Sequence, residues 1–220
     1  MNILLIGPQG SGKGTQAEKL VKKFNLFYLQ TGGIFREIQS QNTPLGEKVA
    51  SYMNKGILVP DDIVVEVVNA HLEKIGQVDN IIFDGFPRSI GQAEFFDKLL
   101  EKKGKSIDVV FFLTLSKEET IKRLGGRRIC ERCGKIFNIY SLPPKVEGVC
   151  DDCGGKLITR SDESPEAIET RLNEFSIKTQ PLIDYYKARG IVEEIDGNRS
   201  IEAIFEDIVE RLKRRGLIQG

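Results

Sequence analysis

GPQGSGKGTQ, Gly7 to Gln16, follows directly on the apolar run MNILLI and holds four glycines and one lysine. The apolar run reads as a strand, the glycines as a loop and the residues beyond as a helix. The general phosphate-loop spacing, GxxxxGK followed by Ser or Thr, is met from Gly7 to Lys13, but Gly14 holds the hydroxyl position and Thr15 comes one later. Glycines let successive backbone N–H groups curl inward toward phosphate oxygens, the helix start adds its positive dipole end, and Lys13 adds a mobile charge. The bland alternative is a glycine-rich turn between strand and helix.

Working outward, short apolar runs of buried-strand type recur at Leu26–Leu29 (weaker), Asn80–Asp84, Val109–Leu115 and Ile191–Ile195, besides Ile3–Ile6. Helical periodicity fills Gln16–Phe24, Ile63–Leu72 and Ile201–Leu212, the last with a cap candidate at Ser200. Strands alternating with helices predict a parallel sheet covered on both faces. Gln30 to Val59 has no good strand and reads as two or three short helices making an excursion from that sheet.

The bulk numbers place the chain among globular proteins: 220 residues, 40% hydrophobic and 29% charged, enough for one sizeable core. Thirty-two basic residues balance thirty-two acidic ones, so attraction for anions has to come from local clustering. No apolar run approaches the ~18 residues of a membrane helix, and the N-terminus lacks the features of a secretory signal. The expected location is therefore the cytoplasm, with no membrane partner.

All four cysteines sit at Cys130-x2-Cys133 and Cys150-x2-Cys153, sixteen residues apart, and each pair is followed by glycine, Gly134 and Gly154. The segment around them is turn-rich, with Pro143-Pro144, and reads as a small insertion held by something other than a core. The spacing is that of a four-thiolate zinc site, which is closed and so structural. Two disulfides or four free thiols are the alternatives, less suited to a reducing compartment.

Beyond the loop, GPQGSGKGTQ is similar to the adenylate kinase phosphate loop, GxPGxGKGTQ. TGGIFR (31–36) resembles the family's TGDxxR, GILVPD (56–61) its GxLVPD, and DGFPRSIGQA (84–93) its DGFPRTxxQA. RLGGRRIC, RSDESPEAIETRL and PLIDYY resemble the arginine-bearing lid boundary and the helix after it. The matches run from Met1 to Tyr186 in family order. Two departures stand together: Gln30 and Gly33 replace the Ser and Asp of the usual STGD, and Gly33 is expected to remove a side-chain cap from the helix carrying Arg36.

The resemblance implies an α/β, P-loop nucleoside triphosphate hydrolase-like fold: a parallel five-stranded sheet with helices on both faces, plus two inserted mobile subdomains. The core would comprise 1–29, 60–125 and 164–220, an AMP-binding insertion 30–59 and a zinc-bearing lid 126–163. It implies Mg²⁺-dependent phosphoryl transfer from ATP to AMP giving two ADP, by a monomer. Such transfer needs a phosphate cradle, converging arginines and a carboxylate to manage Mg²⁺. Catalytic roles fall to Lys13, Asp84, Arg88, Arg127, Arg160 and Arg171. ATP contacts fall to Gly10, Ser11, Gly12, Lys13, Gly14, Thr15, Arg123, Arg127, Ile136, Phe137 and Arg199. AMP contacts fall to Thr31, Arg36, Ile57, Leu58, Val59, Gly85, Phe86, Pro87, Arg88, Gln92, Arg160 and Arg171. The cysteines would hold structural Zn²⁺.

Each assignment has a plainer rival. Surface arginines serve solubility, and Asp84 at a strand end can cap a helix. Gln92 alone is a weak sign, though its amide can offer a donor and an acceptor to an adenine edge. A kinase for another base is a neighbouring reading. A zinc ribbon that binds nucleic acid is a distant one, because Glu131, Glu147, Asp151 and Asp152 offset Lys135, Lys145 and Lys156.

Overall fold

Ile3 to Ile6 is buried at every position, with Ile3 and Leu5 on one face of a sheet and Leu4 and Ile6 on the other. A strand sealed on both faces has to be apolar throughout, and this one seeds two cores. The structure is a computed structural model and describes residues 1–160 and 164–219. Ser161, Asp162 and Glu163, within the RSDESPEAIETRL match and at the expected lid boundary, lie outside the described residues, as does Gly220.

The chain runs β1 (Ile3–Ile6), α1 (Lys13–Phe24), β2 (Phe27–Gln30), α2 (Thr31–Gln39), α3 (Pro44–Met53), α4 (Asp61–Ile75), β3 (Ile81–Asp84), α5 (Ile90–Glu101) and β4 (Val109–Thr114). It continues with α6 (Lys117–Gly125), β5 (Arg127–Cys130), β6 (Ile136–Asn138), β7 (Leu157–Ile158), α7 (Pro165–Glu174), a π-helical turn (Phe175–Thr179), α8 (Gln180–Lys187), β8 (Val192–Asp196) and α9 (Ile201–Arg214). β2-β3-β1-β4-β8 form one sheet, parallel at every pairing. All five expected strands occur, within one or two residues of the expected bounds.

Ala17 and Leu20 of α1 and Ile204, Ile208 and Leu212 of α9 cover one face, over Ile3, Leu5, Ile82 and Phe111. Val68 and Leu72 of α4, Phe96 and Leu100 of α5, and Leu182, Ile183 and Tyr186 of α8 cover the other, over Leu4, Phe83 and Val110. Helix starts are marked by side-chain caps: Ser89, Ser116, Ser164 and the expected Ser200 each accept from the backbone N–H three residues on. α1 begins at Lys13, earlier than its apolar spacing shows, because its first turn is loop-like in composition. α7, the π turn and α8 run on as consecutive helical segments; Pro181 has no N–H to give, and the wide turn lies just before it.

Two pieces leave this sheet. α2 and α3 form the excursion between β2 and α4. The segment between α6 and α7 forms an antiparallel sheet, β6-β5-β7, whose apolar centre is only Cys130, Phe137, Cys150 and Leu157. None of the described helices is long and apolar enough to cross a membrane.

Candidate active site

β1, β2 and β3 all end at the same edge of the sheet, where the order reverses about β1, and their following residues build the site. After β1 the loop turns through Gly10 and Gly12, both at positive φ, and α1 opens under it. Lys13 Nζ donates to the carbonyls of Gly7 at 2.7 Å and Pro8 at 2.9 Å, so the ammonium is folded back into its own loop. Burial pulls its pKa down to about 8; Asp84 opposes this and Arg88 and Arg127 add to it.

A broad cavity opens above the loop. Every residue assigned to ATP borders it: Gly10 to Thr15, Arg123, Arg127, Ile136, Phe137 and Arg199, with Asp84 on its floor. Arg123 reaches Gly10 O and is braced by Glu119 at 2.9 Å, and Asn138 Nδ2 donates to Arg123 O at 2.7 Å, tying β6 to α6. Arg199 is held by Asp207.

A second cavity lies between α2, α4, β3 and α7. Thr31, Arg36, Ile57, Leu58, Val59, Gly85, Arg88, Gln92, Arg160 and Arg171 border it. Gly85 has φ +84°, and a Cβ there would lie 2.8 Å from both Arg88 Nη2 and Thr31 Oγ1. Arg88 is thus laid across a bare backbone, its Nε donating to Gly85 O at 2.7 Å. Burial lowers its pKa, Asp84 raises it and Arg171 lowers it.

The amide of Gln92 is already engaged on one side. Its Oε1 accepts from the Arg88 N–H at 2.8 Å and its Nε2 donates to Asp61 Oδ1 at 2.6 Å. One N–H and one lone pair remain for a base edge. Asp61 also accepts from Ser89 Oγ at 2.7 Å. Two residues expected on the acceptor side lie off the two large cavities. Phe86 borders neither cavity: it is 1% exposed and packs edge-on against Phe96, because the strand-end alternation turns it into the core. Pro87 borders a smaller space beneath the loop. α2 starts at Thr31 with Gln30 in the cap position and no side-chain capping bond, and Gly33 falls at the third helical position, where a carboxylate would reach back to the cap N–H.

Arg36, Arg88, Arg127 and Arg160 border both large cavities, together with Gln9 and Gly85. Four guanidinium groups at one junction make a receptor for several phosphates. Arg160 Nε and Gln9 Oε1 are buried there with no hydrogen-bond partner among the described residues, as is Ser11 Oγ beside the donor cavity. Buried donors and acceptors left this way fit a polar ligand. Sequence reasoning passed over Gln9, although it stands where the family loop has proline. It also passed over Phe35, Met53 and Val64 in the second cavity, which carry only an ordinary apolar pattern. His71 borders none of the three cavities.

In the small sheet, the four cysteine Sγ atoms all lie within 4.8 Å of one another, Cys130 and Cys153 at 3.4 Å and Cys133 and Cys150 at 3.6 Å. Disulfide sulfurs stand about 2 Å apart, whereas four sulfurs at about 2.3 Å from one zinc stand roughly 3.8 Å apart. The donor set fits a tetrathiolate metal. Two matching turns present it: Gly134 N–H donates to Cys130 O and Gly154 N–H to Cys150 O, both glycines at positive φ.

Comparison with known proteins agrees with this geometry. Residues 5–191 match the adenylate kinase family model. The chain is 46% identical to an adenylate kinase of Carboxydothermus hydrogenoformans over 214 residues, 97% of this chain and 100% of the relative. It is 46% identical to one of Caldanaerobacter subterraneus subsp. tengcongensis over 212 residues, 96% of each. One of Desulforamulus reducens shares 42% over 213 residues, 97% of this chain and 100% of the relative.

Proposed function

The chain belongs to the adenylate kinase family, and from that premise we propose that it moves the terminal phosphoryl group of ATP, bound with Mg²⁺, reversibly onto AMP, giving two ADP. The observation that carries this reading is the junction itself: two cavities meet at Gln9 and Gly85, with Arg36, Arg88, Arg127 and Arg160 on the border of both.

In this reading an AMP phosphate oxygen attacks the γ-phosphorus as the bond to the β,γ-bridging oxygen breaks and its electron pair leaves with ADP. Phosphate monoesters have a second pKa of about 6, so the attacking oxygen is anionic at neutral pH and no protein base is required. The work left for the protein is alignment and charge compensation. Loop amides from Gly10 to Thr15 hold the donor phosphates, and Lys13 exchanges its two carbonyl partners for phosphate oxygens. Arg36 and Arg88 hold the acceptor phosphate; Arg127, Arg160 and Arg171 gather around the group in transfer.

Asp84, 7% exposed on the donor cavity's floor, fits the single carboxylate that a largely hydrated Mg²⁺ uses beside phosphate ligands. Bound with ATP, that ion would supply charge neutralisation. Ile136 and Phe137 flank the donor base with Arg123 and Arg199, while Ile57 to Val59 and Gln92 face the acceptor base. Cys130, Cys133, Cys150 and Cys153 would hold zinc as a structural ion, with no part in the reaction.

An acceptor panel tests the reading. With ATP and Mg²⁺, AMP should be phosphorylated in preference to GMP, CMP and UMP, with ADP as both products. Equal use of UMP or CMP would overturn the assignment of adenine as the acceptor base.

A further inference from the structure

Asp84 does not stand alone on the floor of the donor cavity. Gln30 and Asp84 are register partners at the ends of the parallel strands β2 and β3, and Tyr28 lies two residues before Gln30 on the same face of the sheet. Tyr28 OH donates to Asp84 Oδ2 at 2.9 Å. Gln30 Nε2 donates to Tyr28 OH at 2.8 Å and reaches Asp84 Oδ2 at 3.5 Å. The tyrosine hydroxyl is thus used as both donor and acceptor in a short chain of bonds ending on one carboxylate oxygen.

The first turn of α1 closes over this chain. A Cβ on Gly14, the residue in the hydroxyl position of the general phosphate-loop pattern, would lie 3.5 Å from Tyr28 OH, 3.8 Å from Asp84 Oδ2 and 3.8 Å from Gln30 Nε2. Position 33 is its other neighbour: a Cβ on Gly33 would lie 3.1 Å from Gln30 Oε1, tighter than an ordinary contact. The long Gln30 side chain therefore lies against position 33, where a side chain would require it to shift. The two departures from the STGD pattern thus touch one another.

We propose that Tyr28 and Gln30 are positioning residues that orient the Asp84 carboxylate toward the Mg²⁺ bound with ATP, and that Gln30 and Gly33 are coupled replacements serving that orientation. This rests on the reading of Asp84 as the carboxylate for hydrated Mg²⁺. With Oδ2 committed to Tyr28 and Gln30, Oδ1 is left to a metal-bound water. A serine at 30 is too short to make these bonds. A carboxylate at 33 would instead bring a second anion beside the same spot, which is the arrangement the usual pattern implies.

The experiment measures, by titration calorimetry, the Mg²⁺ concentration that half-saturates the ATP complex, and separately the affinity for metal-free ATP and for AMP. Tyr28→Phe should raise the half-saturating Mg²⁺ concentration about tenfold, the scale of losing one partner of a metal-orienting group. Its affinities for metal-free ATP and AMP should stay within about twofold of the parent, which a general disturbance of the fold would not allow. Gln30→Ser should act in the same direction. Gly33→Asp alone should also weaken Mg²⁺, because its side chain meets the Gln30 amide, whereas Gln30→Ser with Gly33→Asp should bind Mg²⁺ within about twofold of the parent, a non-additive result. Additive losses in the double variant, or unchanged Mg²⁺ dependence in Tyr28→Phe and Gln30→Ser while Asp84→Asn raises it, would overturn the proposal. An unchanged Mg²⁺ dependence in Asp84→Asn itself would remove the underlying reading of Asp84 instead.

Discussion

Lys13 Nζ is 2.7 Å from the carbonyl oxygen of Gly7, so the ammonium assigned to ATP phosphates is held by the loop it belongs to. Its pKa of about 8 is set first by burial. Only the charged form attracts phosphate, so affinity for metal-free ATP should be level below pH 8 and fall about tenfold per pH unit above it, until other groups titrate. Stability of the ligand-free protein should move the other way. Between about 8 and the unfolded value of 10.5 the unfolded lysine holds a proton that the folded one has lost, so this group's contribution rises with pH. Calorimetric binding and denaturant unfolding from pH 7 to 10 check both slopes. Lys13→Arg, which stays charged, should remove both.

Gln92 is oriented from behind. Asp61 accepts from its Nε2 at 2.6 Å while Ser89 Oγ donates to the other carboxylate oxygen, so the amide cannot flip without losing a charge-assisted bond. Asp61→Ala should release it. The expected outcome is an AMP KM raised about tenfold with kcat within a few-fold, the signature of lost uniform binding, and an ATP KM left alone. A matching change in ATP KM would show that Asp61 acts on the fold instead.

Gly85→Ala tests the bare backbone beneath Arg88. The added methyl would stand 2.8 Å from Arg88 Nη2 and from Thr31 Oγ1, at a φ of +84°. Backbone strain of about 1–2 kcal/mol corresponds to a melting shift of a few degrees in a domain of this size. Activity should suffer far more, since Arg88 has to leave the junction. We expect kcat/KM to fall by about 10² or more, a 1 Å misplacement being enough for that. Steady-state kinetics and thermal unfolding on the same variant separate the two effects.

What the sequence displays and what it hides follow from where the free energy lies. β1, β3 and β4 were legible because both their faces are sealed, so each is apolar at nearly every position. The three strands of the small sheet were not. Ile136–Asn138 and Leu157–Ile158 are too short to carry a period, and their order rests on four thiols more than on apolar burial. The turn from α7 to α8 was hidden by Pro181, which reads locally as a breaker. In the site, the nucleotide contacts assigned from the matched motifs border the cavities except Phe86, where contiguity in the motif and alternation in space disagree. Gln9 and Tyr28 went unread because their importance lies in what they touch: the junction in one case, Asp84 in the other.

The cysteine site gives the last prediction. Apart from the thiols, the small sheet buries only Phe137 and Leu157, too little apolar surface to order about thirty residues against their conformational entropy. Metal binding has to supply the difference, and tetrathiolate zinc sites in small domains contribute on the order of 10 kcal/mol. Purified protein should therefore contain about one thiophilic metal ion per chain, as a single four-thiolate site requires. Cys130→Ser should release it. Hydrogen exchange should then speed up across β5, β6 and β7 while β1 and β4 keep their protection, because the two sheets have separate cores. Arg127 on β5 and Phe137 on β6 would lose their places on the donor cavity, so ATP KM should rise more than AMP KM. Metal analysis that finds no zinc, iron or cobalt in freshly reduced protein, with all four thiols open to a bulky reagent, would falsify the site. Unchanged exchange in β5 to β7 after metal removal would show instead that the small sheet holds itself together.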